Sequence, residues 1–559
     1  MKRAGLILVL LFLWIAHLTP VVDPDLWWHI AVGKEILANH AIPTTDLYSH
    51  TFPGASCVYP DWLGGVFWAT IDSWGGIPLL VIATATLLIL TYVLSWSAVD
   101  RERSPFLESA VVFLSLFFCL KTYALARPQL LGFFFFGLIS WCAARARSAN
   151  HRWIYVIPLV QILWINTHRS ALLAPLFMAT VLFFSDPKDR KVFLRGTILT
   201  VLATFLHPQA LFLWSSTLGL FGSAEMRTHV IEWQGSGPWG LIRSFFPLWI
   251  SIVLLFLFRT PRRGETWFAL ALSIAGIRYP RLLPFASLLL VPAGFAWIRN
   301  FSSLRTKVPA AVYSLVLSAV IVLSWFAPGW ASPIRSDRPG FKISSTFPRA
   351  AADLLRREFP QARLFNLLED GGYLMYHLGR DARLFIDGRT GILYPFSLVE
   401  EGANALSSRQ ALLAVLERRK VEVAILPVAP GDRFDSLLAG DPRWPVVLLG
   451  DHRVVHLRAD LLPKHPGLRP LTGVDLADPF RSIAAMKTNA PGWSQLRETL
   501  DQYRSLDSSS FKATVLRAFV AHREGDRSSE ADLLRRALVL NPQYDFAKRE
   551  LTALENRRP

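Results

Sequence analysis

The chain has 559 residues, of which 52% are hydrophobic, with three cysteines and a formal net charge of +17. Its mean hydropathy of +0.33 lies above that of ordinary soluble domains, and several apolar runs approach the ~20 residues needed to cross a bilayer. A compact soluble enzyme is thereby excluded, and a polytopic membrane protein is expected. The 20 Trp and 38 Phe fit that class, because Trp collects at membrane interfaces. Of Cys57, Cys119 and Cys142, the last two lie in apolar runs, so neither a disulfide framework nor a metal-ligand spacing is present. Residues 1–327 carry 25 Lys+Arg against 14 Asp+Glu, and residues 328–559 carry 34 against 28. No nucleic-acid recognition motif accompanies this excess, and basic membrane loops account for it without a nucleic-acid partner.

In chain order, apolar runs predict spans near 4–22, 76–99, 105–120, 129–144, 153–165, 171–185, 196–213, 244–258, 266–277, 282–298 and 308–327. Orientation follows from Lys and Arg. With the N-terminus in the cytoplasm, the clusters Lys2/Arg3, Arg101/Arg103, Arg145/Arg147/Arg152, Lys188/Arg190/Lys191/Arg195, Arg259/Arg262/Arg263 and Arg299/Arg305/Lys307 fall inside. That places seventeen basic residues in short inner loops, against eight over longer outer loops. The positive-inside rule therefore predicts about eleven spans, the N-terminus inside and everything after residue 328 outside. The first span also has the basic start of a signal peptide, but its exit, "AHLTPVVDPD", lacks a small-residue cleavage site, so an uncleaved anchor is expected.

The first exterior loop, 21–75, opens on "VVDPDLWWHI" and carries Asp23, Asp25, Glu35, Asp46 and Asp61 against Lys34. Helical spacing of its apolar residues predicts an amphipathic helix along the membrane surface, broken at Pro43, and the pattern returns in "DWLGGVFWA" at 61–69. Asp23 and Asp25 admit two readings. An Asp before a helix start caps free backbone N–H groups, which suits one acid better than two. A partly desolvated carboxylate at the mouth of a bundle also serves as a general base toward a hydroxyl or amine.

Basic residues recur at the exterior ends of later spans: Lys121 and Arg127 in "KTYALARPQ", His168 and Arg169 in "NTHRS", Arg278 and Arg281 in "RYPRLLP". Cations at membrane depth are costly and take anionic partners. Lipid headgroups, or Asp23, Asp25 and Glu232, would satisfy them, as would snorkelling to the surface. The alternative is a cationic cradle for the phosphate of a lipid-linked donor, a task for which the planar Arg fork is suited. An acidic outer loop opposite exterior arginines amounts to a base and a phosphate site together.

About eleven spans, an inside N-terminus, a long first exterior loop with an acid directly after the first span and an exterior C-terminal domain resemble the GT-C superfamily of membrane glycosyltransferases. Protein O-mannosyltransferases, aminoarabinose transferases and oligosaccharyltransferases belong to it. The segments "DPDLWWHIAVGKEIL…IPTTDLYSHT" and "LWINTHRS" resemble a group of bacterial membrane proteins of this kind, over roughly residues 1–460. The resemblance implies transfer of a sugar from a polyprenyl-phosphate donor to a glycan, lipid or protein acceptor at the non-cytoplasmic face of the bacterial inner membrane. The family's acid maps to Asp23 or Asp25. Relatives usually show Asp-Glu here, whereas this chain has Asp-Pro-Asp, which leaves open which acid acts. The implied reaction inverts the anomeric carbon, with the departing phosphate held among Arg127, Arg169, Arg278 and Arg281, and with His29, Asp46, His168 and Glu232 as supporting polar residues. No cofactor is implied beyond a divalent metal, which some relatives use and for which two acids are a thin oxygen site.

From about 345 the pattern becomes soluble. "FPRAAADLLRREFP" and 409–420 read as helices, and "ARLFNLL", "ARLFID", "VEVAILP", "WPVVLLG" and "RVVHLR" as strands, giving a small α/β domain over 345–460. Gly371/Gly372 in "EDGGYLMY" and Asp387/Gly388 in "FIDGR" read as turns. Residues 461–500 read as a linker with one helix, and 505–559 as a helical segment resembling a tetratricopeptide repeat, or an ordinary helical hairpin; either implies a protein partner. Two other functions compete. A transporter would show internal repeats and mid-span acids, neither of which is seen. A non-catalytic assembly protein would tolerate changes at Asp23, Asp25 and the exterior arginines.

Overall fold

A computed structural model describes residues 2–99, 106–148, 150–222, 237–258, 263–296, 340–429 and 433–556. The expected span at 308–327 and Glu232 lie outside the described residues. The chain divides into two compact units. The first comprises Met1–Pro43 and Val58–Ser344, the second Thr44–Cys57 and Ser345–Pro559.

The described part of the first unit is helical. α1 (Lys2–Ala16) is followed by α2 (Asp25–Asn39), α3 (Trp62–Val99), α4 (Phe106–Leu120), α5 (Pro128–Ser148), α6 (Val156–Ile165) and α7 (Leu173–Phe183). Then come α8 (Arg190–Ala203), α9 (Ala210–Gly222), α10 (Gly237–Ser244), α11 (Phe246–Phe258), α12 (Gly264–Arg278) and α13 (Leu283–Phe295). α3 packs against both α2 and α5. Among the described residues, α3 and α5 are long and apolar enough to cross a membrane, and the other apolar helices are shorter. Outer faces of the bundle expose Leu159, Leu163, Leu176, Leu211, Leu257 and Ile274, a distribution that water-soluble surfaces avoid.

Several boundaries depart from the periodicity. α1 stops at Ala16 rather than running to 22, because Pro20 has no N–H to offer and disfavours helix in the residue before it. The predicted span at 196–213 is two helices, α8 and α9, interrupted around Pro208. There the Leu206 carbonyl accepts from Asn166 Nδ2 at 2.9 Å, a side-chain substitute for a lost helical bond. α3 kinks at Gly76, whose φ of 56° and ψ of −148° suit a residue without Cβ, so the span predicted from 76 begins at this kink. α2 buries Leu26, Trp27, Trp28, His29, Ile30, Ala31, Val32, Gly33 and Ile36. It is therefore a packed helix rather than the amphipathic surface helix expected from spacing. It ends at His40 in left-handed backbone, φ 52°, three residues before Pro43.

The second unit holds α14 (Arg349–Glu358), β1 (Leu364–Phe365), α15 (Leu368–Leu378), α16 (Phe396–Ala405), α17 (Arg409–Arg418), β2 (Val423–Pro427), β3 (Val446–Leu449) and β4 (Arg453–Leu457). The sheet order is β1-β2-β4-β3. β1 lies parallel to β2 with Leu364 opposite Val423, and the remaining pairs are antiparallel, with Ala424 opposite His456. "GGYLMYHLG" forms most of α15 and not a turn: a Cβ on Gly371 would meet Ile386 O at 2.1 Å, so its glycine serves close packing of the helix on the 386–387 backbone. The expected strand "ARLFID" makes only an isolated bridge, Leu384 with Ser49. Residues 461–500 hold two helices, α18 (Pro479–Ala485) and the start of α19 (Pro491–Leu506), where a linker with one was expected. α20 (Phe511–Glu524), α21 (Arg527–Leu540) and α22 (Asp545–Asn556) close the chain, with Val515, Leu534, Ala537 and Tyr544 in their shared core.

Candidate functional site

The site is assembled from helix junctions of the first unit. Asp23 lies between α1 and α2, Asp25 opens α2, and His29 lies one turn further along. Asp61 directly precedes α3, Arg127 directly precedes α5, His168 and Arg169 lie between α6 and α7, and Arg281 lies between α12 and α13. Each junction except that of Asp61 was singled out in the sequence by charge at a span end.

Asp23 and Asp25 share one arginine and differ in exposure. Arg127 Nε lies 3.4 Å from Asp23 Oδ2, and its Nη1 lies 3.7 Å from Asp25 Oδ2. The Asp23 side chain is 4% exposed and the Asp25 side chain 40%. Asp23 Oδ1 also accepts the Asp25 backbone N–H at 3.0 Å, so it does the capping expected of one acid, satisfying an orphan donor at the start of α2. Asp25 Oδ1 accepts from Trp28 Nε1 at 3.3 Å, which orients the carboxylate without covering it. A buried carboxylate–guanidinium contact is costly to desolvate and a weak source of stability, and such pairs concentrate at functional sites.

The two histidines are electrostatic neighbours of the arginines. His29 is held well below the usual imidazole range, first by burial and then by Arg127 and Arg169. His168 is lowered likewise by burial, then by Arg169, Arg281, Arg127 and His29. Both rings are therefore neutral at pH 7. Geometry agrees at His168, whose Nδ1 accepts the Ser170 backbone N–H at 3.1 Å and lies 2.7 Å from Ser170 Oγ. The His29 ring stacks on Trp28 with centroids 3.6 Å apart.

Asp61 is the acid that spacing did not single out. Burial pushes its carboxyl up, against the Arg169 charge, the Arg169 backbone N–H and the Arg281 charge. Its Oδ1 is buried without a hydrogen-bond partner among the described residues. Its only sequence signal is its place immediately before the apolar run of α3.

Two expected members lie elsewhere, and a third falls outside the described residues. Arg278 ends α12 in an exposed position. Asp46 belongs to the second unit, where it accepts from Arg389 Nη1 at 2.7 Å, and Glu232 lies outside the described residues. Among the described residues, the acids and histidines of the site do not bring three ligand atoms within 4.8 Å of one another, whereas His522, Glu530 and Glu550 of the second unit do.

No protein-family model and no curated protein matches the sequence. Solved structures do. The Archaeoglobus fulgidus oligosaccharyltransferase, tethered to an acceptor peptide containing the NVT sequon, aligns at 10% identity over 76% of this chain and 69% of that one, with a TM-score of 0.52. A mycobacterial arabinofuranosyltransferase aligns at 12% identity over 82% of this chain and 41% of its own, with a TM-score of 0.49. The same oligosaccharyltransferase in complex with Zn and sulfate aligns at 9% identity over 93% and 85%, with a TM-score of 0.48. At such identities the likeness is one of fold: over 76% of its length the chain shares the fold of the Archaeoglobus fulgidus oligosaccharyltransferase.

Proposed function

We propose that the chain is a glycosyltransferase of the bacterial inner membrane, moving a sugar from a polyprenyl-phosphate carrier to an acceptor at the exterior face. The observation that carries this reading is the pair of acids on Arg127. One is buried as a cap and the other is 40% exposed, among arginines at the helix junctions of a GT-C fold. The exposed apolar faces of the helices and the two bilayer-length helices support the membrane part, and the Lys/Arg distribution supports the orientation.

Asp25 acts as general base. It removes the proton of the acceptor nucleophile as that atom bonds to the anomeric carbon, and the bond from that carbon to the phosphate oxygen breaks. The lipid phosphate leaves with the electron pair, and one displacement inverts the configuration. Arg169 and Arg281 neutralise the departing phosphate, an electrostatic contribution of the kind that dominates many transferases. Arg127 Nη1, 3.7 Å from Asp25 Oδ2, orients the Asp25 carboxylate, while Asp23 positions Arg127 and the start of α2. His29 and His168, being neutral, add no cation to the cluster and offer ring N–H or N groups to polar partners.

The assay is transfer from a panel of polyprenyl-phosphate sugars by purified full-length protein. Asp25→Asn is expected to lower the transfer rate about 10²–10⁴-fold, the range for loss of a general base, with an unchanged melting temperature. Asp23→Asn is expected to lower the melting temperature as well as activity. Full transfer by Asp25→Asn would remove the base from this residue, and full transfer by both variants would remove the mechanism.

A further inference from the structure

A second polar site lies in the second unit, at one end of its sheet. A cleft of about 510 Å³ is lined by Gln361, Arg363, Arg383, Lys420, Glu422 and Arg458. Backbone bonds set four of these side by side. The Leu364 N–H donates to Arg383 O at 2.9 Å, the Glu422 N–H to Arg363 O at 2.8 Å, and the Arg458 N–H to Glu422 O at 3.0 Å. Lys420 joins them from the tight turn between α17 and β2, in left-handed backbone with φ of 52°.

Like charges set side by side repel, so this row has a cost that two carboxylates only partly offset. Glu422 Oε2 accepts the Arg363 backbone N–H at 2.9 Å, and Asp460 accepts from Arg458 Nε at 2.6 Å. Arg383 spends its Nη1 on the carbonyls of Arg380 and Ala382. Among the described residues, Arg363, Arg383 and Lys420 have no carboxylate within salt-bridge distance. The His50 ring lies 2.9 Å from Leu364 O. It is held below its usual range first by burial, against its bond to Leu364, and then by the charges of Arg363 and Arg419.

The lining selects among anions. Every lining side chain is polar, so an acyl chain finds no apolar wall and a nucleobase finds no aromatic face to stack on. Gln361 and Glu422 supply an amide and a carboxylate beside the cations, a set that pairs with hydroxyl groups as well as with an anion. We propose that this cleft binds a saccharide carrying phosphate or carboxylate groups, with Arg363, Arg383 and Lys420 on the anion and Gln361 and Glu422 on hydroxyls. Naming that saccharide as the acceptor rests on the transferase reading; its binding does not.

The test is equilibrium binding to purified full-length protein, without donor, of three fluorescent probes: an oligogalacturonide, a mannose-6-phosphate-terminated oligomannoside and a neutral dextran oligomer. At least one anionic probe is expected to bind, more weakly as salt rises, and the neutral one is not. Which anionic probe binds distinguishes carboxylate from phosphate recognition. The pair Arg363→Gln/Arg383→Gln is expected to weaken that binding at least tenfold, whereas Arg356→Gln/Arg357→Gln on α14, equal in charge removed, leaves it unchanged. Equal binding of the neutral probe, no binding of either anionic probe, or equal loss in both double variants would overturn the proposal. Asp25→Asn separates the two sites: it is expected to lower transfer about 10²–10⁴-fold while the anionic probe binds with unchanged affinity.

Discussion

At the scale of single residues, environment and not identity assigns roles. Asp23 and Asp25 are two positions apart and contact the same guanidinium, yet one is buried and caps the start of α2 while the other reaches solvent. His456 of β4 gives the same lesson with a pH consequence. Its Nδ1 lies 2.8 Å from the Trp444 carbonyl and its Nε2 lies 2.7 Å from Ser436 Oγ. Because a carbonyl only accepts, Nδ1 carries the proton and Nε2 accepts from the serine. Burial holds its titration down to about 4 from 6.5. The folded state binds this proton less readily than the unfolded chain, so stability is whole above pH ~6.5 and declines as pH falls toward 4, by about 3 kcal/mol. Hydrogen exchange at the Ile425 and Val454 amides of the full chain should report that decline between pH 7 and 4.5, and His456→Gln should flatten it. An unchanged slope in the variant would assign the pH dependence to other groups.

At the scale of elements, helix contact is set by where side chains are absent. A Cβ on Gly33 of α2 would meet Gly65 O of α3 at 2.1 Å and Gly65 C at 2.4 Å. The obstacle is backbone and cannot rotate away. Gly33→Ala should therefore push α2 from α3, at a cost of about 1–3 kcal/mol, typical of overpacking. On the proposed transferase reading it should also lower transfer, because α2 carries Asp25 and His29. A melting temperature equal to that of the parent would show that the contact is looser than the geometry requires. The double glycine of "DWLGGVFWA" and the glycine of "IAVGKEI" are visible in the sequence, but their pairing is not, since hydropathy does not encode which backbone approaches which.

At the scale of the whole molecule, the segment between α2 and α3 divides between two units. Thr44–Cys57 is part of the second, held there by a buried ion cluster. Arg389 Nη1 donates to Asp46 Oδ1 at 2.7 Å, while its Nε and Nη2 donate to the two oxygens of Asp387 at 2.8 and 2.6 Å. The Tyr394 hydroxyl donates to Asp387 Oδ2 at 2.8 Å. Asp46, Asp387 and Arg389 are all buried. Arg389→Met would strand two buried carboxylates and should destabilise the second unit by about 3–5 kcal/mol, releasing 44–57 to proteolysis. Resistance of that segment in the variant would mean that the Asp46 main-chain contacts hold it alone.

Helical class, the apolar runs, the acids after α1 and the arginines before α5, α7 and α13 were all legible in the sequence, because hydropathy and charge are local properties and helix ends carry their own signals. The long-range facts were not. That Asp23 caps while Asp25 is exposed, that Asp61 joins the cluster and Arg278 does not, that Asp46 pairs with an arginine more than three hundred residues away, and that Arg383, Arg363, Glu422 and Arg458 form one row all depend on burial and strand register. Those are decided only when distant segments exclude water from one another, since the same carboxylate is a cap, a base or half of an ion pair according to the neighbours that desolvate it.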